Sequence, residues 1–392
     1  MELLDTVIVR HGAELGVKSS TTRLRYDRLL VKNMKAMLSS KGLPITEIDR
    51  RFGRIYVKTP CPVDVAKALS MVFGVSSTSP AASCKALLEE IADTALKLVG
   101  AKSGRGLRFA VKCRRVGVHE FTSMDVCRYV GSKILEFKRD DGWLVDLENP
   151  EVVVGVEVRD EDAFVYMETY RGVGGLPLGS QGRVLCLISG GIDSPVASWL
   201  AMRRGCTITL LHFNIQPFTG EKTLEKVVEL SKKLSTWCPG YKCSLLVAPF
   251  GLVLKEIVEK CPAKLTCVLC KRMMLRAAVR VASKMRMNGI VTGDSIGEQA
   301  SQTLRNMMVI SEVVGGFPLH RPLLCFDKSE TERLAREIGT YEISSRPDEG
   351  CKAAPKRPAI AASPSEVAKA EQLLDVESLI RGVVERLVEL EV

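Results

Sequence analysis

The chain has 392 residues, a formal charge of +10, and 46% hydrophobic against 26% charged residues, the balance of an ordinary globular protein with room for two or three cores. No apolar run reaches the roughly 20 residues of a membrane span, and Glu2 and Asp5 stand where an export signal would carry basic residues, so a cytoplasmic protein with no membrane partner is expected. Thirteen cysteines in such a chain argue against a disulfide framework and leave core packing, metal ligation or sulfur chemistry to explain them.

Residues 1–59 hold 12 Lys/Arg against 6 Asp/Glu, an excess suited to a polyanionic partner. Here TVIVRHG reads as a strand, RLRYDRLLVKNMKAMLSSKG as a helix and EIDRRFGRIYVKT as paired strands, a first small α+β unit. Residues 60–170 make a second. Its helices cover CKALLEEIADTALKLVG and SMDVCRYVGSKILEFK; its strands are GLRFAVKCRRVG and the pair PEVVVGVEVRD and DAFVYMETY, joined by an acidic turn. In this unit Lys102, Arg105, Arg108, Lys112, Arg114 and Arg115 form a run with no acid between Asp93 and Glu120. Strand alternation puts Lys112 and Arg114 on one face. Such a run is either a solvated face or a surface for the phosphates of a folded RNA, without base stacking. Residues 171–182, RGVGGLPLGSQG, read as a linker.

From residue 183 strands and helices alternate. VLCLIS is a buried strand, followed by helix SPVASWLAMRRG with Pro195 in its first turn and Gly205 as its stop. Strand CTITLLHFN, helix GEKTLEKVVELSKKLSTW, strand CSLLVAPF and a short helix ending near Cys261 come next. A long helix over KRMMLRAAVRVASKM leads to strand GIVTGD, helical SQTLRNMMVISEVVG and strand LHRPLLC. Helix DKSETERLAREIG opens with Asp327 and Glu330 spaced as a capping box, and Ser363 and Glu366 open a helical C-terminal region the same way. This order predicts an α/β fold for residues 183–392, a doubly wound parallel sheet with helices on both faces. Ligands of such sheets sit beyond the carboxyl ends of the strands.

That edge carries LISGGIDSPVA. Gly190 and Gly191 allow a sharp turn that aims N–H groups at a phosphate, the next helix's N-terminus adds partial positive charge, and Ser189 and Ser194 offer hydroxyls. Asp193 beside phosphates is repulsive unless a divalent cation lies between them, which implies Mg²⁺.

Ser-Gly-Gly-x-Asp-Ser is the signature of the PP-loop ATP pyrophosphatases, which transfer AMP to a substrate and release pyrophosphate. Over nearly the whole chain the likeness narrows to the tRNA 4-thiouridine synthetase (tRNA sulfurtransferase) family. VRHGAELGVKSSTTRLRYDRLLVKNMKAML is similar to its ferredoxin-like segment, and FAVKCRRVG with VDLENPEVVVGVEV resembles a THUMP RNA-binding domain. MRRGC, HFN, KRMMLRAA, GDSIGEQASQT and RPLLCFDKSE resemble its catalytic blocks. The resemblance implies that Leu187, Ile188, His212, Phe213, Lys271, Gly293 and Gln302 line an ATP site with the loop, and that Asp193 and Lys328 serve adenylation. It also implies a tRNA partner and conversion of a tRNA uridine (position 8 in the family) to 4-thiouridine.

In CVLC, Cys267 and Cys270 fall on one side of a helical turn, where two thiolates can share a metal. Cys351, in DEGCKAAP, matches the family's sulfur-handling cysteine. Many bacterial relatives carry a rhodanese domain that delivers sulfur; these 392 residues contain none, so free sulfide, or a persulfide from a separate sulfurtransferase, is the expected donor. Relatives without rhodanese resemble iron–sulfur enzymes, which implies a [4Fe-4S] cluster on Cys267, Cys270 and Cys351. A zinc site joining CPGYKC to CVLC is the alternative, and Cys186 and Cys206 read as core. Two rival functions remain open at this point: adenylation of a sulfur-carrier protein or small molecule in the thiazole branch of thiamine synthesis, and tRNA binding without catalysis. A homodimer is compatible with the sequence.

Overall fold

The computed structural model describes residues 3–12, 14, 19–51, 53–347 and 350–392; part of the VRHGAELGVKSS stretch lies outside them. The chain divides into two compact units, Met1–Leu176 and Pro177–Val392.

In the first unit β1 (Thr6–His11), β2 (Glu47–Arg51), β3 (Arg54–Lys58), β4 (Val75–Lys85), β5 (Arg108–Val116), β6 (Leu144–Val145), β7 (Val152–Arg159), β8 (Asp162–Tyr166) and β9 (Tyr170–Arg171) form one sheet. Its order is β2-β3-β1-β4-β8-β7-β5-β6, with β9 paired to β4. Period-two alternation separates its faces. Val7, Val9, Ile55 and Val57 pack under α1 (Ser20–Ser40) and α2 (Pro62–Ser70), while Val152, Val154, Val156 and Val158 pack under α3 (Leu88–Gly100) and α4 (Ser123–Phe137). The boundary expected after residue 59 falls inside this first core, because Val65, Ala66 and Leu69 of α2 and Val75 of β4 share it with Leu30 and Val9. The sequence hides α2 and β4 for a physical reason: α2 has only nine residues, and VSSTSPAAS buries small polar side chains that show no hydrophobic alternation.

The other face of the sheet closes on itself. Glu157 on β7 accepts from Arg10 Nε on β1 at 2.8 Å and from Arg54 Nε on β3 at 2.9 Å. β3 and β7 are four strand steps apart, roughly 19 Å in a flat sheet. The sheet therefore bends sharply about β4, stacking Tyr56 on Phe164 at 4.2 Å and laying Arg10 over Tyr166 at 4.8 Å.

The second unit holds β10 (Arg183–Leu187), β11 (Thr207–Asn214), β12 (Ser244–Pro249), β13 (Gly289–Val291), β14 (Leu319–His320) and β15 (Val388–Glu391). They form a sheet of order β14-β13-β10-β11-β12-β15, parallel except for β15, which runs antiparallel to β12. Its helices are α5 (Asp193–Arg203), α6 (Glu221–Ser235), α7 (Gly251–Lys260), α8 (Thr266–Lys284), α9 (Leu304–Ser311), α10 (Lys328–Ile338), α11 (Tyr341–Ser344), α12 (Pro364–Glu371) and α13 (Val376–Glu385). α7, α8, α9, α12 and α13 share one large core on one side; α5, α6 and α10 pack together on the other, where Trp199 meets Trp237 edge-on at 5.5 Å. The expected doubly wound sheet is present.

Three details differ from expectation. LHRPLLC contributes only two strand residues, since Pro322 has no N–H for a ladder. GIVTGD stops being strand at Val291, and the segment after it turns toward the loop. The last residues are strand and not helix: Leu390 pairs with Leu245, and Ser244 Oγ donates to Glu389 at 2.6 Å.

Candidate active site

Between β10 and α5 the chain turns through Ile188–Ile192. Ser189 N–H donates to Ser194 Oγ at 2.9 Å, the two hydroxyls lie 3.1 Å apart, and Gly191 N–H donates to Ser189 Oγ at 3.4 Å. The serines thus close the loop and hold its shape. α5 begins without a side-chain cap, so its first amides remain available to an anion. Gly293, just past β13, lies against this turn; a Cβ there would sit 2.7 Å from Ser194 N and 2.9 Å from Asp193 C. Only glycine fits.

Asp193 and Lys328 are 135 residues apart in sequence, yet Lys328 Nζ donates to Asp193 Oδ1 at 3.3 Å and also contacts Glu298. Burial raises the Asp193 carboxyl, Glu298 adds to the rise, and Lys328 opposes it. Burial works to lower Lys328, but the two carboxylates outweigh it and raise it. The capping box of Asp327 and Glu330 fixes Lys328 as the first residue of α10. A carboxylate and an ammonium therefore meet at an uncapped helix start, an arrangement that can hold a polyphosphate with its cation.

Around this centre the other expected residues gather unevenly. Leu187 ends β10, and the Ile188 N–H donates to Leu211 O at 2.9 Å. His212 is buried, with Nδ1 3.1 Å from Ile188 O, and burial lowers its pKa. A neutral ring donating from Nδ1 orients the loop's first carbonyl. The Phe213 ring packs on Phe250 at 5.1 Å within the core, which leaves its main chain, not its ring, to face a ligand. Gln302 is buried with no partner for Oε1, an orphaned acceptor that a ligand amine would satisfy. Lys271 Nζ donates to Asp294 Oδ1 at 2.9 Å.

Asp294, Glu298 and Arg321 were not singled out from the sequence. Burial, the largest influence on Asp294, disfavours its charge, yet Lys271, Thr292 and Arg321 bring its carboxyl down to about 2. The signal for the two acids was present in GDSIGEQ, which follows a strand at the ligand edge, though loop acids usually signify only solvation.

Cys267 and Cys270 lie in the first turns of α8. Burial raises both thiols, Cys270 to about 12; Cys351 adds to each rise, and Lys271 opposes it. Cys351 is exposed, and its influence on both thiols puts it within electrostatic reach of the CxxC pair. Lys352 N–H pins that segment to Phe218 O at 2.9 Å. Among the described residues no group of three or more His, Cys, Asp or Glu side chains is arranged to hold a metal ion. Cys267 and Cys270 are the donor type a soft metal takes, two thiols on one turn of a helix. Cys238 and Cys243 are a buried pair, hydrogen-bonded to each other; among the described residues they form no metal-holding group with Cys267 and Cys270. Cys186 is buried in β10, and Cys206 is half-buried just before β11.

In the first unit Lys102, Arg105, Lys112 and Arg114 are exposed. Arg108 is exposed but paired with Asp146 at 3.2 Å and Glu151 at 3.4 Å, and Arg115 donates to Gly117 O at 3.0 Å. Lys112 and Arg114 share a face of β5, beside Gly155 and Glu157 of β7. No helix among the described residues is long and apolar enough to cross a membrane.

A parallel sheet with a Ser-Gly-Gly-x-Asp-Ser loop at its carboxyl edge defines the PP-loop class of nucleotide-binding proteins. The family of the thiamine biosynthesis protein (ThiI) matches residues 179–376, the ThiI ferredoxin-like domain residues 6–79 and the THUMP domain residues 85–168. The chain belongs to the ThiI family. It is 42% identical over 379 residues to a probable tRNA sulfurtransferase of Methanosarcina acetivorans, covering 96% of this chain and 91% of the relative. A probable tRNA sulfurtransferase of Methanobrevibacter smithii is 43% identical over 359 residues, covering 90% and 91%. Among solved structures, a 4-thiouridine synthetase–RNA complex with bound ATP superposes with a TM-score of 0.86 at 31% identity, covering 99% of both chains. PH1313 of Pyrococcus horikoshii superposes at 0.67 with 28% identity, over 86% of this chain and all of the other.

Proposed function

We propose that this protein is an ATP-dependent tRNA sulfurtransferase that adenylates the 4-oxygen of a tRNA uridine and replaces it with sulfur, giving 4-thiouridine. The observation that carries the reading is the Asp193–Lys328 pair at 3.3 Å over the uncapped start of α5, in a chain whose relatives of nearly full length carry this activity in their names. The loop amides hold the β- and γ-phosphates, and the uridine 4-oxygen attacks the α-phosphorus as pyrophosphate departs. Lys328 neutralises the charge that develops on the α-phosphate. Asp193 would hold Mg²⁺, which supplies charge to the leaving pyrophosphate. External sulfide held beside Cys351 then attacks the activated ring carbon and displaces AMP, which leaves sulfur in place of the 4-oxygen.

Cys267, Cys270 and Cys351 would hold a [4Fe-4S] cluster. Such a cluster, when bound, would supply a Lewis-acidic site able to hold external sulfide. The chain's own part is to place Cys351 within electrostatic reach of Cys267 and Cys270 and to set the Lys271 ammonium against the charge of that pair. Lys102, Arg105, Lys112 and Arg114 supply phosphate contacts to the tRNA; the paired Arg108 and Arg115 contribute less.

Anaerobically purified protein is expected to contain iron and to form 4-thiouridine from tRNA, ATP and sulfide, with pyrophosphate release that depends on tRNA. Single Cys→Ala changes at 267, 270 and 351 should remove iron and thiolation together while leaving pyrophosphate release. Pyrophosphate release indifferent to tRNA would overturn the tRNA reading; stoichiometric zinc without iron would overturn the cluster, leaving Cys351 as a persulfide carrier.

A further inference from the structure

We infer that Asp294 is a positioning residue: it holds the Lys271 ammonium at the nucleotide edge, in fixed register with the phosphate loop. The inference rests on the reading, implied by the family resemblance, that Lys271 lines the ATP site. Asp294 follows β13, and its side chain is only 16% exposed. Both carboxylate oxygens are engaged. Oδ1 accepts from Lys271 Nζ at 2.9 Å, and Oδ2 accepts from Thr292 Oγ1 at 2.7 Å and Arg321 Nε at 3.2 Å. Arg321 is itself tied down, donating from Nη2 to Ser311 Oγ at 2.8 Å.

The preceding residue supplies the other half of the argument. Gly293 packs so closely on the start of α5 that no Cβ would fit, so the 293–294 backbone cannot shift independently of Asp193 and Ser194. A lysine alone is a poor positioning device, because its four-carbon stem samples many rotamers and its point charge selects no direction. Asp294 removes that freedom. It ties Lys271, carried on α8, to a backbone already seated on the loop. The charges also make sense only in this way. A lone carboxylate close to a triphosphate would repel it, whereas Lys271, Arg321 and Asp294 together carry one net positive charge. A buried ion pair of this kind can be purely architectural, and the distinction is experimental.

The test is a double-mutant cycle in the full-length protein, reading the Kd for ATP by equilibrium dialysis and the KM for ATP and kcat of tRNA-dependent pyrophosphate release. Asp294→Asn should raise the Kd and KM for ATP roughly tenfold, the loss of about one charge-assisted contact, with a much smaller change in kcat. Lys271→Met should do the same. The double variant should bind ATP no more weakly than Lys271→Met alone, because Asp294 acts through that lysine. Asp294→Glu should recover part of the affinity. If Asp294→Asn does not fold, Thr292→Val carries the test, since it removes only the hydroxyl donor to Oδ2; its smaller rise in KM should vanish in the Lys271→Met background. Additive losses, or a kcat loss with KM unchanged, overturn the inference alone. Wild-type ATP affinity in Lys271→Met overturns both the inference and the reading on which it rests.

Discussion

A carboxylate beside a polyphosphate belongs there only if cations surround it. Asp193 has Lys328 at 3.3 Å, and its pKa is raised by burial and by Glu298, so its charge is held at a cost that a bound divalent cation would relieve. Asp193→Ala should therefore abolish tRNA-dependent pyrophosphate release while leaving tRNA affinity within about twofold, because the lost group is not among the cations proposed to contact phosphates. Filter binding and pyrophosphate assays on one preparation check this, and ATP-dependent thiolation at the wild-type rate would refute the role. At this scale the sequence was partly legible. The loop signature and the family likeness pointed to Asp193, Lys328 and Cys351; the fold pairs the first two and sets Cys351 within electrostatic reach of Cys267 and Cys270. Ser189 and Ser194 could not be understood the same way, since hydroxyls that close a turn and hydroxyls that face a phosphate look identical in one dimension. The partners Glu298, Asp294 and Arg321 are visible only once three loops meet.

α10 shows how an element carries a residue's chemistry. Asp327 accepts from the Glu330 N–H at 2.8 Å, and Glu330 accepts in return from the Asp327 N–H at 3.1 Å, a reciprocal cap that sets where the helix begins. Lys328 is its first residue, so the cap aims the side chain at Asp193. Asp327→Ala should cost about 1 kcal/mol of stability and lower kcat for pyrophosphate release more than it raises the KM for ATP, since the ammonium acts as charge develops. Urea unfolding and steady-state kinetics give both quantities; a stability loss without a kcat loss would show that Lys328 finds its place unaided. This helix was readable because its cap and its apolar spacing are both local. β15 was not, because VELEV joins a sheet only through β12, some 140 residues earlier. β4 failed for a different reason: its small polar residues are buried by neighbours that no local pattern announces.

On the scale of the first unit, one buried carboxylate closes a nine-stranded sheet. Glu157 is 2% exposed and accepts from Arg10, Arg54 and Arg159, which sit on three different strands. Burial, the strongest influence, pushes its carboxyl up, but the three guanidiniums together take it below the usual glutamate value. A folded-state pKa below the unfolded one, about 4.3, means that Glu157 stabilises the fold fully above that pH. The contribution fades as pH falls from there through the folded-state pKa. Glu157→Gln would leave the buried Arg159 and the half-buried Arg10 and Arg54 without a counter-charge and should cost about 3 kcal/mol at pH 7. The difference between variant and wild type should shrink as pH falls below about 4.3 toward the lowered folded-state pKa, below which the wild-type carboxyl is neutral as well. Urea unfolding of residues 1–176, followed by the fluorescence of Trp143, the one tryptophan in that stretch, measures this without interference from the second unit. Arg114 lies beside Glu157 in the β5–β7 register, so the same bend that the glutamate enforces sets how the exposed Lys112 and Arg114 are displayed. At a salt concentration where the wild type binds tRNA well, the full-length Glu157→Gln variant should bind more weakly although no phosphate-contacting cation has been removed. A variant of undiminished stability, or one whose deficit is the same at pH 3 and pH 7, would show that the sheet closes by its stacked aromatics and not by this charge.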